Sequence, residues 1–182
     1  MPYPTLEKVP YKDDNDQAKH ARAFRTQLYS VGRNIGGRNV ATVAVNYAAP
    51  FSFQDLITLP SEPPGKGKAF AQHSEKVLLH AIMDSLKSGA KIAWMYTERQ
   101  PCGNALGHAN CDAFLTKMMT QYGVAGTGTK VYFSFDYPTK EDLRSSIGPN
   151  LLSEKEAEEL AREWCLMGTN ELMAAAKELC LS

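Results

Sequence analysis

Strand-like and helix-like segments alternate along most of the chain, and this alternation limits the fold more than any other feature. Strand-like runs cover residues 38–47, 51–59, 91–98 and 130–138, and helical spacing covers residues 16–31, 73–86 and 101–123. The first two strands are joined by a short turn, whereas the later strands are separated by helices. The pattern therefore predicts an α/β fold, with parallel neighbours in the sheet and helices covering its faces.

The two ends of the chain differ from this central part. The segment from Asp16 to Gly32 predicts an amphipathic helix, and Ser153 with Glu156 forms a capping box that opens an all-helical tail. Within this tail, Thr169 is expected to open a last helix. Since 182 residues fit one domain of ordinary size, we predict a single domain. Its parts are an N-terminal helical extension (1–36), a core (37–140) and a helical C-terminal extension (141–182).

Composition indicates a soluble globular protein, with 43% hydrophobic and 22% charged residues. The first sixteen residues lack the apolar run of a signal peptide, and no segment approaches the roughly 18 apolar residues of a membrane span. We therefore expect no membrane association, no signal peptide in this chain and a cytoplasmic site of action.

Charge is unevenly distributed although the formal net charge is zero. No acidic residue occurs between Asp16 and Asp55. The basic residues in that window are Lys19, Arg22, Arg25, Arg33 and Arg38. They either face phosphate groups or form a solvated surface, and the sequence supports both interpretations equally.

Three metal-binding side chains occur where predicted helices begin. His73 stands at one helix start, and Cys102 and Cys111 accompany the next strand-to-helix junction. Because both helices of a βαβα unit begin at the same edge of the sheet, these residues can meet there. One imidazole and two thiolates with an open fourth position form a catalytic zinc set. The sequence therefore predicts one zinc ion held by His73, Cys102 and Cys111.

Glu75, two residues after His73, is the candidate for proton transfer. Zinc lowers the pKa of a bound water from about 16 to about 7 and so supplies hydroxide at neutral pH. One carboxyl group can take the proton from the water and give it to a leaving amine. Residues two apart in a helix point about 200° away from each other. His73 must therefore lie at or before the first turn.

These residues match a known signature. H-x-E followed by P-C-x-x-C is typical of zinc nucleobase deaminases, and residues 38–138 resemble the cytidine-deaminase-like superfamily. The segments HSEKVLLHAI, YTERQPCGNALGHANC and VYFSFDYP look closest to deaminase domains of bacterial polymorphic toxins. The resemblance implies a three-layer α/β/α sandwich, one Zn²⁺ per chain, and deamination of bases in DNA, RNA or free nucleotides, often cytosine.

The cysteine spacing departs from this signature. Eight residues separate Cys102 from Cys111, where the signature has two. A continuous helix would carry Cys111 about 13 Å beyond Cys102, so the insertion must loop out, as Gly103 and Gly107 permit. His108 is the alternative ligand. Cys111 is preferred because toxin-type deaminases often have a longer spacing, and His108 is then expected to contact substrate.

Further substrate contacts are expected around the turn that joins the first two strands. The superfamily often places a polar residue at the end of its first strand, which here is Asn46 followed by Tyr47. Tyr47 and Phe51 flank the turn and could stack on a base. The sequence supports equally well that Asn46 only ends the strand before the turn and does not contact substrate. Trp94 and Tyr96 are expected in the core.

Three functions remain open on the sequence alone. The first is deamination of cytosine to uracil in DNA, with single strands preferred, or in RNA. The second is deamination of free nucleosides or nucleotides, which the zero net charge favours. The third is a catalytically silent zinc-binding module. The toxin resemblance implies a secreted or delivered effector with an immunity protein as its partner.

Overall fold

The computed structural model describes residues 4–12, 15–47, 52–63, 73–103, 110–125, 128–148 and 150–179. Two predicted substrate contacts, Phe51 and His108, lie outside these residues. Within the described ranges, none of the helices has both the length and the apolar character needed to cross a bilayer.

In the described part of the chain, five strands form one sheet and six helices flank it. The strands are β1 (Thr5–Lys8), β2 (Val40–Asn46), β3 (Gln54–Pro60), β4 (Lys91–Arg99) and β5 (Lys130–Phe135). The helices are α1 (Asp16–Ser30), α2 (Ser74–Ala81), α3 (Met83–Lys87), α4 (Cys111–Tyr122), α5 (Lys140–Ile147) and α6 (Glu154–Leu179). The strand order is β1-β5-β4-β2-β3. β4 and β1 run parallel to β5, whereas β2 is antiparallel to both β3 and β4.

Each face of the sheet carries its own hydrophobic core, because successive strand side chains point to opposite faces. One core packs with α2, α3 and α4 and includes Val43, Leu79, Met95, Leu115 and Val131. The other packs with α1 and α6 and includes Ala21, Val40, Tyr96, Phe135 and Leu172. Helices thus cover both faces of the sheet, which confirms the predicted α/β fold. Trp94 packs against the second core beside Tyr96, as predicted for both residues.

Several predicted helix boundaries change in the structure. The helix predicted over residues 73–86 is divided at Ile82, whose backbone (φ −102°, ψ 7°) leaves helical geometry while its side chain stays in the core. The helix predicted over residues 101–123 begins only at Cys111. In the tail, Ser153 and Glu156 form the predicted capping box. Thr169 does not open a helix, because its hydroxyl donates to the Cys165 carbonyl (2.7 Å) inside a continuous α6.

The segment before β2 is not purely helical, which corrects the prediction for residues 1–36. β1 pairs in parallel with β5 at the edge of the sheet. Its four residues are mostly exposed, so they lack the alternating apolar pattern that identifies a half-buried strand. Helix α5 was also missed, since Leu143 is its single buried side chain.

Candidate metal centre and active-site cavity

Three segments meet at one edge of the sheet, where β4 ends and where α2 and α4 begin. His73 is the N-cap of α2, in an extended backbone conformation, and this confirms that it precedes the first turn. Cys102 follows the end of β4 by three residues. Cys111 opens α4 directly after Asn110, whose left-handed backbone (φ 49°) turns the chain into the helix.

The three predicted ligands converge. The Cys102 and Cys111 sulphur atoms lie 3.5 Å and 3.4 Å from Nδ1 of His73, and all three ligand atoms lie within 4.8 Å of one another. Tetrahedral zinc with Zn–S near 2.3 Å and Zn–N near 2.0–2.1 Å separates nitrogen and sulphur ligands by about 3.5 Å. The residues present therefore fit a zinc ion, and the long cysteine spacing does not prevent Cys102 and Cys111 from meeting.

A backbone contact explains how the two cysteines come together. The amide of Asp112, in the first turn of α4, donates to the Cys102 carbonyl (3.1 Å). The N-terminus of α4 is thereby fixed beside the end of β4. Residues 110 and 111 are consequently placed by the sheet edge and not by a helix continuing from Cys102.

The electrostatics of this group are those of a cation site. A hydrogen bond with Cys102 and then burial raise the pKa of the Cys111 thiol, and the hydrogen bond with Cys102 also raises the pKa of His73. The hydrogen bond with Cys102 is the largest cause of both shifts, whereas burial raises the pKa of Cys111 and lowers that of His73. A divalent cation reverses these preferences, since it favours thiolates and a neutral imidazole.

Glu75 lies behind these ligands, one residue into α2, with 2% of its surface exposed. Its two carboxylate oxygens accept hydrogen bonds from the hydroxyls of Ser74 and Thr97, both at 3.1 Å. Burial raises the pKa of Glu75. A raised pKa suits a carboxyl group that must take up a proton near neutral pH and release it again.

A cavity of about 290 Å³ opens in front of Glu75. His73, Glu75 and Cys102 line one wall. The lining also includes Asn39, Arg99 and Tyr137, with the Arg99 guanidinium 5.4 Å from the centre of the Tyr137 ring. The cavity thus brings the ligand group, a buried carboxylate and cationic side chains into one space.

The predicted contacts Asn46 and Tyr47 lie at the wrong end of β2. Asn46 pairs with Lys91, the first residue of β4, whereas the cavity lies near Arg99 at the other end. β2 is antiparallel to β4, so its start and not its end faces the cavity; seven residues at about 3.3 Å each separate the two ends. Asn46 instead accepts a hydrogen bond from Gln54 (2.9 Å), and Tyr47 stacks on a neighbouring aromatic ring (4.6 Å).

The residue that occupies the corresponding place at the cavity is Asn39, immediately before β2. The sequence predicted a contact at the end of β2, whereas the start of β2 lies at the cavity, because the direction of β2 relative to β4 is a tertiary property. Thr97 and Arg99 were also missed as site residues. Both residues belong to the TERQPC segment that leads to Cys102, and this position could have identified them as site residues.

The basic window of residues 17–54 divides in the structure. Arg25 is fully buried and pairs with Glu98, with Nε 2.6 Å from Oε1, so it does not face phosphate or solvent. Arg38 lines the cavity and donates to the Ser61 carbonyl. Only part of the window is therefore positioned to meet a ligand.

A family model described as Xanthomonas-like deaminase matches residues 36–151. The chain belongs to this family. The matched region of this deaminase runs from just before β2 to just beyond α5 and contains His73, Glu75, Cys102 and Cys111. The predicted membership of a deaminase family is thereby confirmed. No curated protein and no solved structure matches the chain.

Proposed function

We propose that this deaminase is zinc-dependent and converts cytosine to uracil in nucleic acid, with single-stranded DNA preferred. One observation carries the proposal. A fully buried carboxylate, Glu75, lines the same cavity as His73 and Cys102, and these two residues with Cys111 form a group that could hold a metal ion. A nucleophile, a proton shuttle and room for a base therefore come together.

His73, Cys102 and Cys111 would hold the zinc. When bound, zinc supplies a water molecule acidic enough to act as nucleophile at neutral pH. Glu75 then has two tasks. It accepts a proton as water adds to the ring carbon, and it delivers a proton to the exocyclic nitrogen, so that the carbon–nitrogen bond breaks and ammonia leaves. The net reaction consumes one water and leaves a carbonyl in place of the amine.

Cationic side chains support a substrate that carries phosphate. Arg38 and Arg99 both line the cavity, and guanidinium groups bind phosphate through paired hydrogen bonds. The sequence strings around His73 and Cys102 also look closest to polymorphic-toxin deaminases. Both observations favour a nucleotide unit over a free base.

Deamination of free nucleosides or nucleotides is the second candidate. It is supported by the zero net charge, since polynucleotide binding usually requires an extended positive surface. A steep loss of activity on DNA as salt rises, with no such loss on free cytidine, would indicate several phosphate contacts and favour the polymer.

Glu75→Gln tests the proposed function directly. Zinc-loaded wild type, Glu75→Gln and Glu171→Gln, which makes the same change at an exposed position of α6, are incubated with single-stranded DNA, duplex DNA, RNA and free cytidine. We expect uracil in single-stranded DNA from wild type and Glu171→Gln, and none from Glu75→Gln although it retains zinc. Undiminished turnover by Glu75→Gln would refute the mechanism. Zinc binding without turnover by any variant would favour the silent module.

A toxin role is a separate part of the proposal and rests on the resemblance. It includes delivery as an effector, a cytoplasmic site of action and an immunity protein as partner. Expression of wild type in the cytoplasm of bacteria that lack uracil repair should slow growth and raise genomic uracil, whereas Glu75→Gln should do neither. Normal growth with unchanged genomic uracil would argue against a DNA-directed toxin.

A further inference from the structure

A hydrogen-bonded cluster around the Glu75 carboxylate joins three elements of the fold. Asn39 lies just before β2, Ser74 is the first residue of α2, and Thr97 belongs to β4. Nδ2 of Asn39 donates to Oγ of Ser74 (2.8 Å) and to Oγ1 of Thr97 (2.7 Å). Ser74 and Thr97 are fully buried. These are the two hydroxyls that contact the Glu75 carboxylate.

The orientation of the Asn39 side chain is fixed by a backbone donor. The amide N–H of Arg99, which can only donate, binds Oδ1 of Asn39 at 2.9 Å. The NH₂ group of Asn39 must therefore point toward Ser74 and Thr97, and it has one hydrogen for each of them.

The direction of the remaining hydrogen bonds follows. Each hydroxyl already accepts a hydrogen bond from Asn39, and each has a single proton to donate. The proton of Ser74 goes to Oε2 of Glu75, and that of Thr97 goes to Oε1. Both carboxylate oxygens are consequently held by donors whose own orientation is set by Asn39. The carboxylate is thereby held in one orientation by two hydrogen bonds.

We propose that Asn39, acting through Ser74 and Thr97, is a positioning residue for Glu75. The inference rests on the proposed function, in which Glu75 transfers protons. Because Asn39 immediately precedes β2, Thr97 belongs to β4 and Ser74 to α2, the cluster also fixes the first turn of α2 against the sheet. A carboxylate on a loosened turn loses its alignment with the reacting atoms even though it remains in the cavity.

Kinetics distinguish positioning from substrate contact. A misplacement of about 1 Å costs a catalytic group on the order of 100-fold in rate. We therefore expect kcat to fall by about 10- to 100-fold in Asn39→Ala and in Thr97→Val, with KM changed by less than about 2-fold. Thr97→Ser restores the hydroxyl and should recover most of kcat. A rise in KM alone for Asn39→Ala would assign it to substrate binding and overturn the positioning role.

A matched control is available on the same sheet. The buried Thr42 of β2 shares a hydrogen bond with Thr58 of β3 (2.9 Å), a contact that does not involve Glu75. Thr42→Val removes a buried hydroxyl of the same kind and should leave kcat within about 2-fold of wild type. Zinc content and thermal midpoint, measured for every variant, identify any loss due to unfolding. If Asn39→Ala does not fold, Ser74→Ala removes one of the two anchors and replaces it in the series.

Crystal structures separate failure of this inference from failure of the proposed function. In zinc-loaded Asn39→Ala we expect the Glu75 carboxylate to shift by about 1 Å or to adopt two positions, while His73, Cys102 and Cys111 stay in place. In Thr42→Val the carboxylate should not move. An unmoved carboxylate in Asn39→Ala overturns the positioning role, whatever the activity. A moved carboxylate supports it even if wild type deaminates none of the substrates and the proposed function falls.

Discussion

The buried ion pair between Arg25 and Glu98 offers a demanding test of how the N-terminal helix supports the site. Both side chains have no exposed surface. Arg25 binds the carboxylate through two nitrogens, each at 2.6 Å, and donates to the carbonyls of Gly36 (2.9 Å) and Arg38 (2.5 Å). The perturbation is Arg25→Met, which keeps much of the side-chain volume and removes these hydrogen bonds.

The expected loss of stability follows from the contacts that Glu98 keeps in Arg25→Met. Glu98 keeps hydrogen bonds from the Tyr11 hydroxyl and the Val40 amide, both at 2.9 Å, but its charge has lost its partner. Removing one member of a buried pair costs about 3–5 kcal/mol. For a chain of this size, each kcal/mol lost lowers the thermal unfolding midpoint by about 2–4 °C. The midpoint of Arg25→Met should therefore fall by about 6–20 °C.

Urea unfolding and thermal denaturation measure the effect. The control is Lys155→Met, which breaks an exposed pair with Glu159 (3.9 Å) on α6 and should cost at most about 0.5 kcal/mol. The double variant Arg25→Met/Glu98→Gln removes both charges and should be more stable than Arg25→Met alone. The reasoning is wrong if Arg25→Met costs no more than Lys155→Met, or if Glu98→Gln destabilises further.

Three other predictions concern packing, capping and metal. A glycine-to-alanine change ordinarily stabilises a helix by about 1 kcal/mol, but in Gly168→Ala the new Cβ would lie 2.1 Å from the Asp136 carbonyl oxygen. We therefore expect urea unfolding to show that the variant is less stable by about 1–3 kcal/mol. A more stable variant would contradict this expectation. Ser153→Ala removes the cap of α6 and should cost about 1 kcal/mol in the same assay. Zinc should raise the thermal midpoint, and EDTA should reverse this. Because the pKa of the Cys111 thiol is raised, zinc binding must release protons, so affinity measured by calorimetry should weaken as pH falls; a pH-independent affinity would count against thiolate ligation.

Periodicity was enough to predict the elements that bury a regular face. Ile57 and Leu59 of β3 pack against the first core, and β2, β4, β5 and α1 place buried side chains in the two cores. β1 and α5 do not. The first is an exposed edge strand, held by pairing with β5, and the second buries only Leu143. Their structure is decided by contacts with distant residues, which local patterns do not contain.

The same distinction applies to the site. The meeting of His73, Cys102 and Cys111 was predictable because ligand chemistry restricts the residue types. His73 and Cys111 also stand at helix starts, and Cys102 follows the end of β4. Asn39 was missed, and Asn46 was chosen instead, because strand direction decides which end of β2 reaches the cavity. Arg25 was placed on the surface because a charged residue on an amphipathic helix is usually exposed; its partner Glu98 is 73 residues away.

The boundaries of the family match and of the structural unit that supports the site do not coincide. The match begins at residue 36, whereas Arg25 lies in α1 and holds the carbonyls of Gly36 and Arg38. Gly37, between these two residues, lines the cavity. Asn39, which follows Arg38, donates hydrogen bonds to the hydroxyls that contact Glu75. Hydrogen bonds, together with the peptide link from Arg38 to Asn39, therefore connect a side chain outside the matched region to the proposed proton shuttle. The geometry of the cavity wall depends on α1 as well as on the matched residues.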